Sequence, residues 1–402
     1  MKEIMDGNEA CARNAYLFTE VCGIYPITPS SPMATLTDKW SSEGKRNILG
    51  EKVSVVEMQS EAGVAGFIHG SLQAGSLTTT FTSSQGLLLM IPNMYKIAGE
   101  LLPAVIHVAA RSLSTHALSI FGDHQDIYAT RSTGFALLAS SSVEDAYYLS
   151  LVAHLSALSG SLPFIHFFDG FRTSHELNVV KTLEEDKIKS LVSKEDIKKF
   201  KRRAINIRKN ITRGTSQTED IYFQMTEARN KYYNELPDVV MKKMEEVNNI
   251  AGTDYKPFNY YGSINAERVI VAMGSVNKTI KEVVDDLNKN GEEVGLIEVH
   301  LYRPFSTKYF LNVLSKSVSK IAVLDRTKEA GSLGEPLYLD VKAALASEDI
   351  MVIGGRYGLS SKNTTPAQIK AVFDNLDKHK VINNFTIGIE DDAKTGGKAG
   401  SS

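Results

Sequence analysis

From residue 20 to about residue 175 the chain alternates short apolar or β-branched runs with stretches of helical spacing. "SVVEMQSE", "LTTTFTSS", "PAVIHVAA", "FALLASS" and "PFIHFFDG" are such runs, and each passes into small, hydroxyl or acidic residues before the next helical stretch. A run apolar at consecutive positions has no wet face, so the pattern predicts a mostly parallel sheet with helices on both sides. Ligands of such sheets sit at the carboxyl ends of the strands, where this sequence concentrates its polar residues.

The pattern then changes twice. Between Lys181 and Arg213 twelve Lys and Arg stand against five Asp and Glu, with Leu183, Ile188, Leu191 and Val192 at helical spacing. A polyanion-binding patch and a solvated helical excursion both fit that run. The near absence of stacking aromatics favours the excursion, over about 180–250. A second α/β unit follows: "ERVIVAMGS" reads as a buried strand ending in Gly-Ser, "VNKTIKEVVDDLNKNG" as a helix closed by glycine, and "EVGLIEVH" and "KIAVLD" as further strands. After "MVIGGRYGLS" and a last helix, the Gly-, Lys- and Ser-rich residues 393–402 are expected to be disordered. The opening "MKEIMDGNEACARNAYLFTE" spaces Ala10, Ala15, Leu17 and Phe18 like an amphipathic helix and shows no apolar signal core.

Composition narrows the partners. The chain has 402 residues, 43% hydrophobic and 23% charged, the make-up of a folded protein of roughly two or three domains. A net charge of −2 gives no global field toward nucleic acid or an anionic membrane, so neither is expected as a partner. The longest apolar stretches are too short to span a bilayer. Cys11 and Cys22 form no CxxC pair, so this chain builds neither an iron–sulfur cluster nor a cysteine zinc site. They are expected to be free core thiols in a reducing compartment, the cytoplasm or an organelle lumen such as a hydrogenosome.

Four constellations at strand ends carry candidate chemistry. In "GIYPITPSSPM", Pro26 and Pro29 hold Ile27 and Thr28 in a stiff loop. That loop either preorganises a hydroxyl for a ligand or leads into a helix capped by Ser30 or Ser31 near Pro32. Glu61 in "EMQSEAGVAGF" opens a helix whose Ala62, Gly63, Ala65 and Gly66 leave little bulk, so something can approach closely. Its carboxyl either bonds a heteroaromatic nitrogen or complements the helix dipole. Arg111, a lone cation after an apolar strand, either grips an organic carboxylate in a planar fork or makes an internal salt bridge. His116, Asp123, His124 and Asp126 lie close in sequence but lack the spacing of a metal site, and hydrogen-bonded loop architecture with no metal is expected there.

Several common signatures are missing from the sequence: GxGxxG opening a βαβ unit, GxxxxGK[ST], GxSxG and HExxH. There is also no GDG with a downstream NN pair, the arrangement that holds the magnesium and diphosphate of thiamin diphosphate; "FGDH" fails at the third residue.

"YPITPSSPM", "EMQSEAG", "TTTFTSSQGLLLMIPNMYKIAGELLP", "ALSIFGDHQDIYATR", "PFIHFFDGFRTSHE", "LYRPF", "VLDRTKE", "GRYGLSSK" and "FTIGIEDD" together resemble the N-terminal part of the pyruvate:ferredoxin (flavodoxin) oxidoreductase family, from about residue 4 to residue 392. The resemblance implies two three-layer α/β/α domains with mostly parallel sheets. Residues 1–258 would be the pyrimidine-binding module of a thiamin diphosphate fold, and 259–392 a transketolase C-terminal-like domain. It further implies that Glu61 bonds the aminopyrimidine and drives activation of the thiazolium, that Pro26 and Ile27 line the cofactor, and that Thr28 and Arg111 hold the substrate.

By the same resemblance, the activity is oxidation of pyruvate to acetyl-CoA. Thiamin diphosphate would be shared with a partner chain, with magnesium and the iron–sulfur clusters in other domains or chains. Coenzyme A and ferredoxin or flavodoxin would be reached through those partners, in an oligomer. Single-chain members of the family continue into gamma-like, cluster-bearing and diphosphate-binding domains that this sequence lacks. The expectation is therefore a subunit or fragment inactive without partners, the alternative being a non-catalytic relic used as a structural or regulatory binding module.

Overall fold

The computed structural model describes residues 1–208 and 211–390, and the tail at 393–402 lies outside them. One sheet has seven strands, in the order Leu301–Arg303, Ala136–Ala139, Phe164–Asp169, Val105–Ala110, Thr78–Thr82, Val21–Ile24, Ser54–Glu57. All neighbours are parallel except the first pair. A second sheet runs Phe385–Thr386, Met351–Arg356, Lys320–Asp325, Arg268–Ala272, Val294–Val299, Phe258–Gly262, parallel but for its last pair. This is the expected α/β architecture with mostly parallel sheets.

The central strand Thr78–Thr82 shows how the layers arise. All five residues are buried, and threonine suits a strand because its branched Cβ packs on the pleat. Buried hydroxyls need partners: Thr78 meets Ser71 at 2.9 Å, Thr79 accepts from Thr19 at 2.7 Å, and Thr80 donates to the Gly23 carbonyl at 2.7 Å. Alternation sends Thr78 toward helix Glu61–Gln73, while Phe81 stacks on His107, which meets His154 of helix Val143–Gly160. Helices therefore cover both faces.

The second face holds a polar core. His107 and His166 approach Nδ1 to Nδ1 at 3.0 Å, His107 and His154 Nε2 to Nε2 at 2.9 Å, and Ser140 Oγ lies 2.8 Å from His166 Nε2. One proton per neutral ring satisfies this chain in a single direction. Burial holds His154 and His166 down at about 3, so both rings are neutral. Cys11 and Cys22 are buried free thiols, Cys11 lying 3.7 Å from His166 Nδ1.

In the second unit, helix Val276–Lys289 buries Ile280, Val283, Val284 and Leu287, the i, i+3, i+4, i+7 stripe of a helix lying on a sheet. Gly291 just beyond it has φ +85°, the left-handed stop expected of glycine. Helix Lys194–Arg202 buries only Ile197 and Phe200, which leaves its charges in water as a solvated excursion does. Among the described residues, no helix is long and apolar enough to cross a membrane.

Three features depart from the sequence reading. Lys2–Met5 and Asn178–Lys181 pair as a separate antiparallel ribbon. Helix Gly7–Leu17 is buried almost all round rather than amphipathic, because helices Ser31–Ser42 and Val143–Gly160 both pack on it. The run "EVGLIEVHLYR" serves both sheets: after Val294–Val299, the His300 carbonyl accepts from Ala139 N at 2.7 Å, and Leu301–Arg303 becomes an edge strand of the first sheet.

Asp169, at the end of its strand and fully buried, fastens the two sheets together. It receives Arg326 Nη1 at 2.6 Å, His124 Nε2 at 2.5 Å, Ser275 N at 2.9 Å and the Ser275 hydroxyl. Burial alone would raise its carboxyl, but Arg326 and His124 outweigh that and hold it well below the usual carboxylate range. Gly274, with φ +83°, makes the approach possible, since a Cβ there would stand 3.0 Å from both Asp169 Oδ1 and the His124 ring.

Asp169→Asn leaves the buried Arg326 guanidinium without its counter-charge and is expected to cost about 3–5 kcal/mol, read as a lower urea midpoint by Trp40 fluorescence and circular dichroism; an unchanged midpoint would count against the fastening role. Acid should act through the histidines. His154 and His166 titrate near 6.5 in the unfolded chain and near 3 when buried, so the unfolded state binds the extra protons between those values. Stability should therefore fall by about 1.4 kcal/mol per ring for each pH unit of acidification within that window. Urea titrations at a series of pH values that show no slope would refute the neutral assignment.

Candidate active site

The loop between strand Val21–Ile24 and helix Ser31–Ser42 is rigid for reasons beyond its prolines. The Ile27 carbonyl accepts from Ser30 N at 2.9 Å, Ser31 N at 3.0 Å and Ser30 Oγ at 2.8 Å. Asn8 Nδ2 donates to the Pro29 carbonyl at 3.0 Å, and a Cβ on Gly170 would stand 2.8 Å from Pro29 Cγ. The helix begins at Ser31 with Pro32 in its first turn, as expected. The cap is a correction: no serine side chain caps it, because the Ser30 hydroxyl turns back to Ile27. Pro26 and Thr28 are exposed and Ile27 is half-buried, with the Thr28 hydroxyl making no hydrogen bond among the described residues.

Arg111 follows strand Val105–Ala110 directly. Its Nη1 donates to the Thr28 carbonyl at 3.0 Å, so the structure brings these two candidates together. The residue is only 7% exposed, its Nε has no partner, and it makes no ion pair among the described residues. Burial lowers its pKa, opposed by the charge of Asp126. The internal salt bridge that sequence left open is therefore not made, and two guanidinium nitrogens remain for a ligand.

Glu61 is the first residue of helix Glu61–Gln73, one position after Ser60, whose hydroxyl caps Gly63 N at 3.1 Å. It is 7% exposed, and its carboxylate makes no hydrogen bond or ion pair among the described residues. The close approach expected at Gly63 and Gly66 falls elsewhere. Gly66 faces open space, whereas a Cβ on Gly86, in helix Ser84–Gly99, would lie 2.7 Å from Glu61 Oε1 and 2.6 Å from Thr82 Oγ1. Thr82 Oγ1 is itself buried and unpartnered. Gly86 thus makes room for an acid whose bonding capacity is unspent, and the one trace of it in sequence is a glycine in the first turn of an otherwise apolar helix.

Glu61, Thr28 and Arg111 follow strands of the same parallel sheet, so they share its carboxyl edge. The cluster around "FGDHQDIYATR" is used otherwise. His116 is exposed beside Thr115, Asp123 accepts from Gln125 and Ser360 N, His124 goes to Asp169, and Asp126 accepts backbone N–H groups. The edge thus holds, among the described residues, an acid without a bonding partner beside a glycine-made niche, a guanidinium without an ion pair, and an exposed hydroxyl.

Comparison with known proteins gives the family of the chain. Residues 13–245 match the family model "Pyruvate flavodoxin/ferredoxin oxidoreductase, thiamine diP-bdg", and residues 266–369 match "Pyruvate:ferredoxin oxidoreductase core domain II". The chain is 58% identical over 393 residues to the pyruvate:ferredoxin oxidoreductase of Moorella thermoacetica and 55% identical over 390 residues to the pyruvate-flavodoxin oxidoreductase of Enterobacter agglomerans. It spans about a third of those relatives, 34% and 33% of their lengths, with 97% and 96% of its own covered. A Nostoc pyruvate-flavodoxin oxidoreductase sequence, 55% identical, is covered to 96%, as is this chain.

Among solved structures, the 2-oxoglutarate:ferredoxin oxidoreductase of Magnetococcus marinus superposes with a TM-score of 0.65 at 17% identity, over 92% of this chain and 64% of that one. A split-gene transketolase does so with 0.50 at 10% identity, over 92% of each. Both show the fold. With the family models and relatives at 58% and 55% identity in agreement, the chain belongs to the pyruvate:ferredoxin (flavodoxin) oxidoreductase family.

Proposed function

We propose that this chain supplies the pyrimidine-side and substrate-binding half of a thiamin diphosphate site that oxidises pyruvate to acetyl-CoA and passes electrons to ferredoxin or flavodoxin. The observation that carries this reading is the buried Glu61 carboxylate, without a hydrogen bond or ion pair among the described residues and seated against Gly86, on the same edge as an arginine whose guanidinium makes no ion pair among them. In this reading residues 1–258 form the pyrimidine module and 259–392 the transketolase C-terminal-like domain.

Bound thiamin diphosphate supplies the electron sink for decarboxylation. Glu61 holds and returns a proton at an aminopyrimidine ring nitrogen, with Pro26 and Ile27 as the wall beside it. Arg111 offers its free nitrogens to the substrate carboxylate as a planar donor, held in place by its bond to the Thr28 carbonyl. The Thr28 hydroxyl, free and exposed, donates to the substrate. With Cys11 and Cys22 buried and apart in sequence from any cluster motif, iron–sulfur clusters, magnesium and the diphosphate cradle belong to other domains or chains, as do the contacts to coenzyme A and ferredoxin or flavodoxin. Leu118, Ile120 and Phe121, exposed in the loop after Arg111, suit an apolar partner surface within an oligomer. A cytoplasmic setting fits the free thiols. A non-catalytic scaffold would gain nothing from leaving Glu61 and Arg111 unpaired, which favours the enzymatic reading over the relic.

Alone, the chain should bind thiamin diphosphate weakly in calorimetry and give no pyruvate-dependent dye reduction; tight binding without partners would sink the half-site reading. In the complete enzyme, Glu61→Gln keeps the size of the side chain but cannot cycle a proton, so exchange at the thiazolium carbon should collapse while pyruvate affinity barely moves. Arg111→Lys keeps the charge and loses the fork, raising the pyruvate KM by about thirtyfold, about 2 kcal/mol, with thiazolium exchange intact. Gly86→Ala should improve helix propensity by about 1 kcal/mol yet displace Glu61, slowing thiazolium exchange on the order of a hundredfold in a protein that stays folded. Unchanged exchange in the Glu61 or Gly86 variants, or unchanged KM in the Arg111 variant, removes the role given to that residue.

A further inference from the structure

One buried carboxylate touches both halves of the candidate site without reaching any ligand. Asp126, in the short helix Gln125–Ala129, is fully buried. Its Oδ2 accepts from Ser84 N at 2.8 Å and Arg111 N at 3.0 Å, and its Oδ1 accepts from Ile127 N at 2.8 Å. Ser84 is the first residue of the helix that carries Gly86, and it sits at φ +52°, a left-handed conformation that a non-glycine residue holds only when its surroundings impose it. The surroundings here are the Asp126 carboxylate on its N–H and the Ser112 carbonyl, which accepts its hydroxyl at 2.5 Å. The strained turn is thus tied directly to Ser112, the residue after Arg111, and through Asp126 to Arg111 itself.

We propose that Asp126 is a positioning residue that sets the distance between the Glu61 niche and the Arg111 clamp by holding both backbones on one oxygen. The inference rests on the functional reading above for what that distance serves, and on the hydrogen bonds alone for the link itself. Asparagine cannot replace it. With its amide oxygen toward Ser84 and Arg111, its NH2 faces the Ile127 N–H; turned over, the NH2 faces two donors. Either arrangement opposes donor to donor in a dry site and releases at least one of the three backbones.

In the complete enzyme, Asp126→Asn should lower thiazolium exchange on the order of a hundredfold and raise the pyruvate KM about tenfold, both arms moving together. Asn47→Ala is the matched control. Asn47 is also buried, donating to the Thr19 carbonyl and accepting from Leu49 N and Glu51 N at the other end of the sheet. Its variant should lose stability and change neither arm.

An Asp126→Asn enzyme whose exchange and KM both stay within about twofold of wild type, or in which only one arm moves, overturns the proposal. Residue-resolved amide hydrogen exchange on the unmutated protein tests the link without relying on the variant folding: Ser84 and Arg111 should be strongly protected and open together as urea is added. Independent opening of the two amides overturns the link. Absence of pyruvate-dependent activity in the wild type would instead remove the functional reading while leaving the coupled opening to stand or fall by itself.

Discussion

The structure depends on a carboxylate that is never exposed. Asp169 ends the strand beside Arg111, and its partners come from the second sheet's helix start at Ser275 and strand end at Arg326, so the two units are joined by charge at the edge where the candidate site lies. A buried ion pair of this kind contributes little net stability compared with an apolar contact of equal size, but it tolerates one arrangement only. Its effect is to fix orientation: His124 N donates to the Arg326 carbonyl at 2.9 Å, and Gly122 N donates to the Ser361 hydroxyl oxygen at 2.9 Å, so the loop after Arg111 is held from the second unit.

The first unit contrasts two treatments of buried polar groups. Under helix Val143–Gly160, His154, His107, His166 and Ser140 satisfy one another in a closed set that asks for nothing further. At the carboxyl edge, Glu61, Thr82 Oγ1 and Arg111 Nε are left unsatisfied within the same sheet. Unmade hydrogen bonds in a dry site destabilise the fold by about 1–3 kcal/mol each. The open set is the one the proposed ligand site uses, and Gly86 leaves room beside Glu61 while Asp126 bonds the backbones of Ser84 and Arg111.

Much of this was legible from the chain. Apolar or β-branched runs marked most central strands of both sheets, because a strand covered on two faces leaves no polar alternation to mislead. The 3.6-residue stripe gave helix Val276–Lys289 for the converse reason, having one wet face. Thr28, Glu61 and Arg111 were singled out because polar side chains directly after apolar strands fall at one edge of a parallel sheet. Illegible were contacts made between distant segments: the ribbon of Lys2–Met5 with Asn178–Lys181, whose pairing no local pattern encodes, and the crossing of Leu301–Arg303 into the first sheet.

Sequence by itself therefore determined the layers, the identity of the candidate acid, hydroxyl and cation, and the family blocks that unite them, since each depends on neighbours along the chain. Only the tertiary structure decided which alternative each residue takes. Arg111 lacks a salt bridge among the described residues because the acid that reaches it, Asp126, bonds its backbone N–H, and Glu61 sits in a niche because Gly86, 25 positions on, has no Cβ to fill it. Ser30 does not cap its helix because the Ile27 carbonyl is nearer its hydroxyl. For Glu61 the deciding partner is remote in sequence and for Ser30 it is three residues back, and in both steric exclusion and hydrogen-bond competition act through space, which local pattern does not encode.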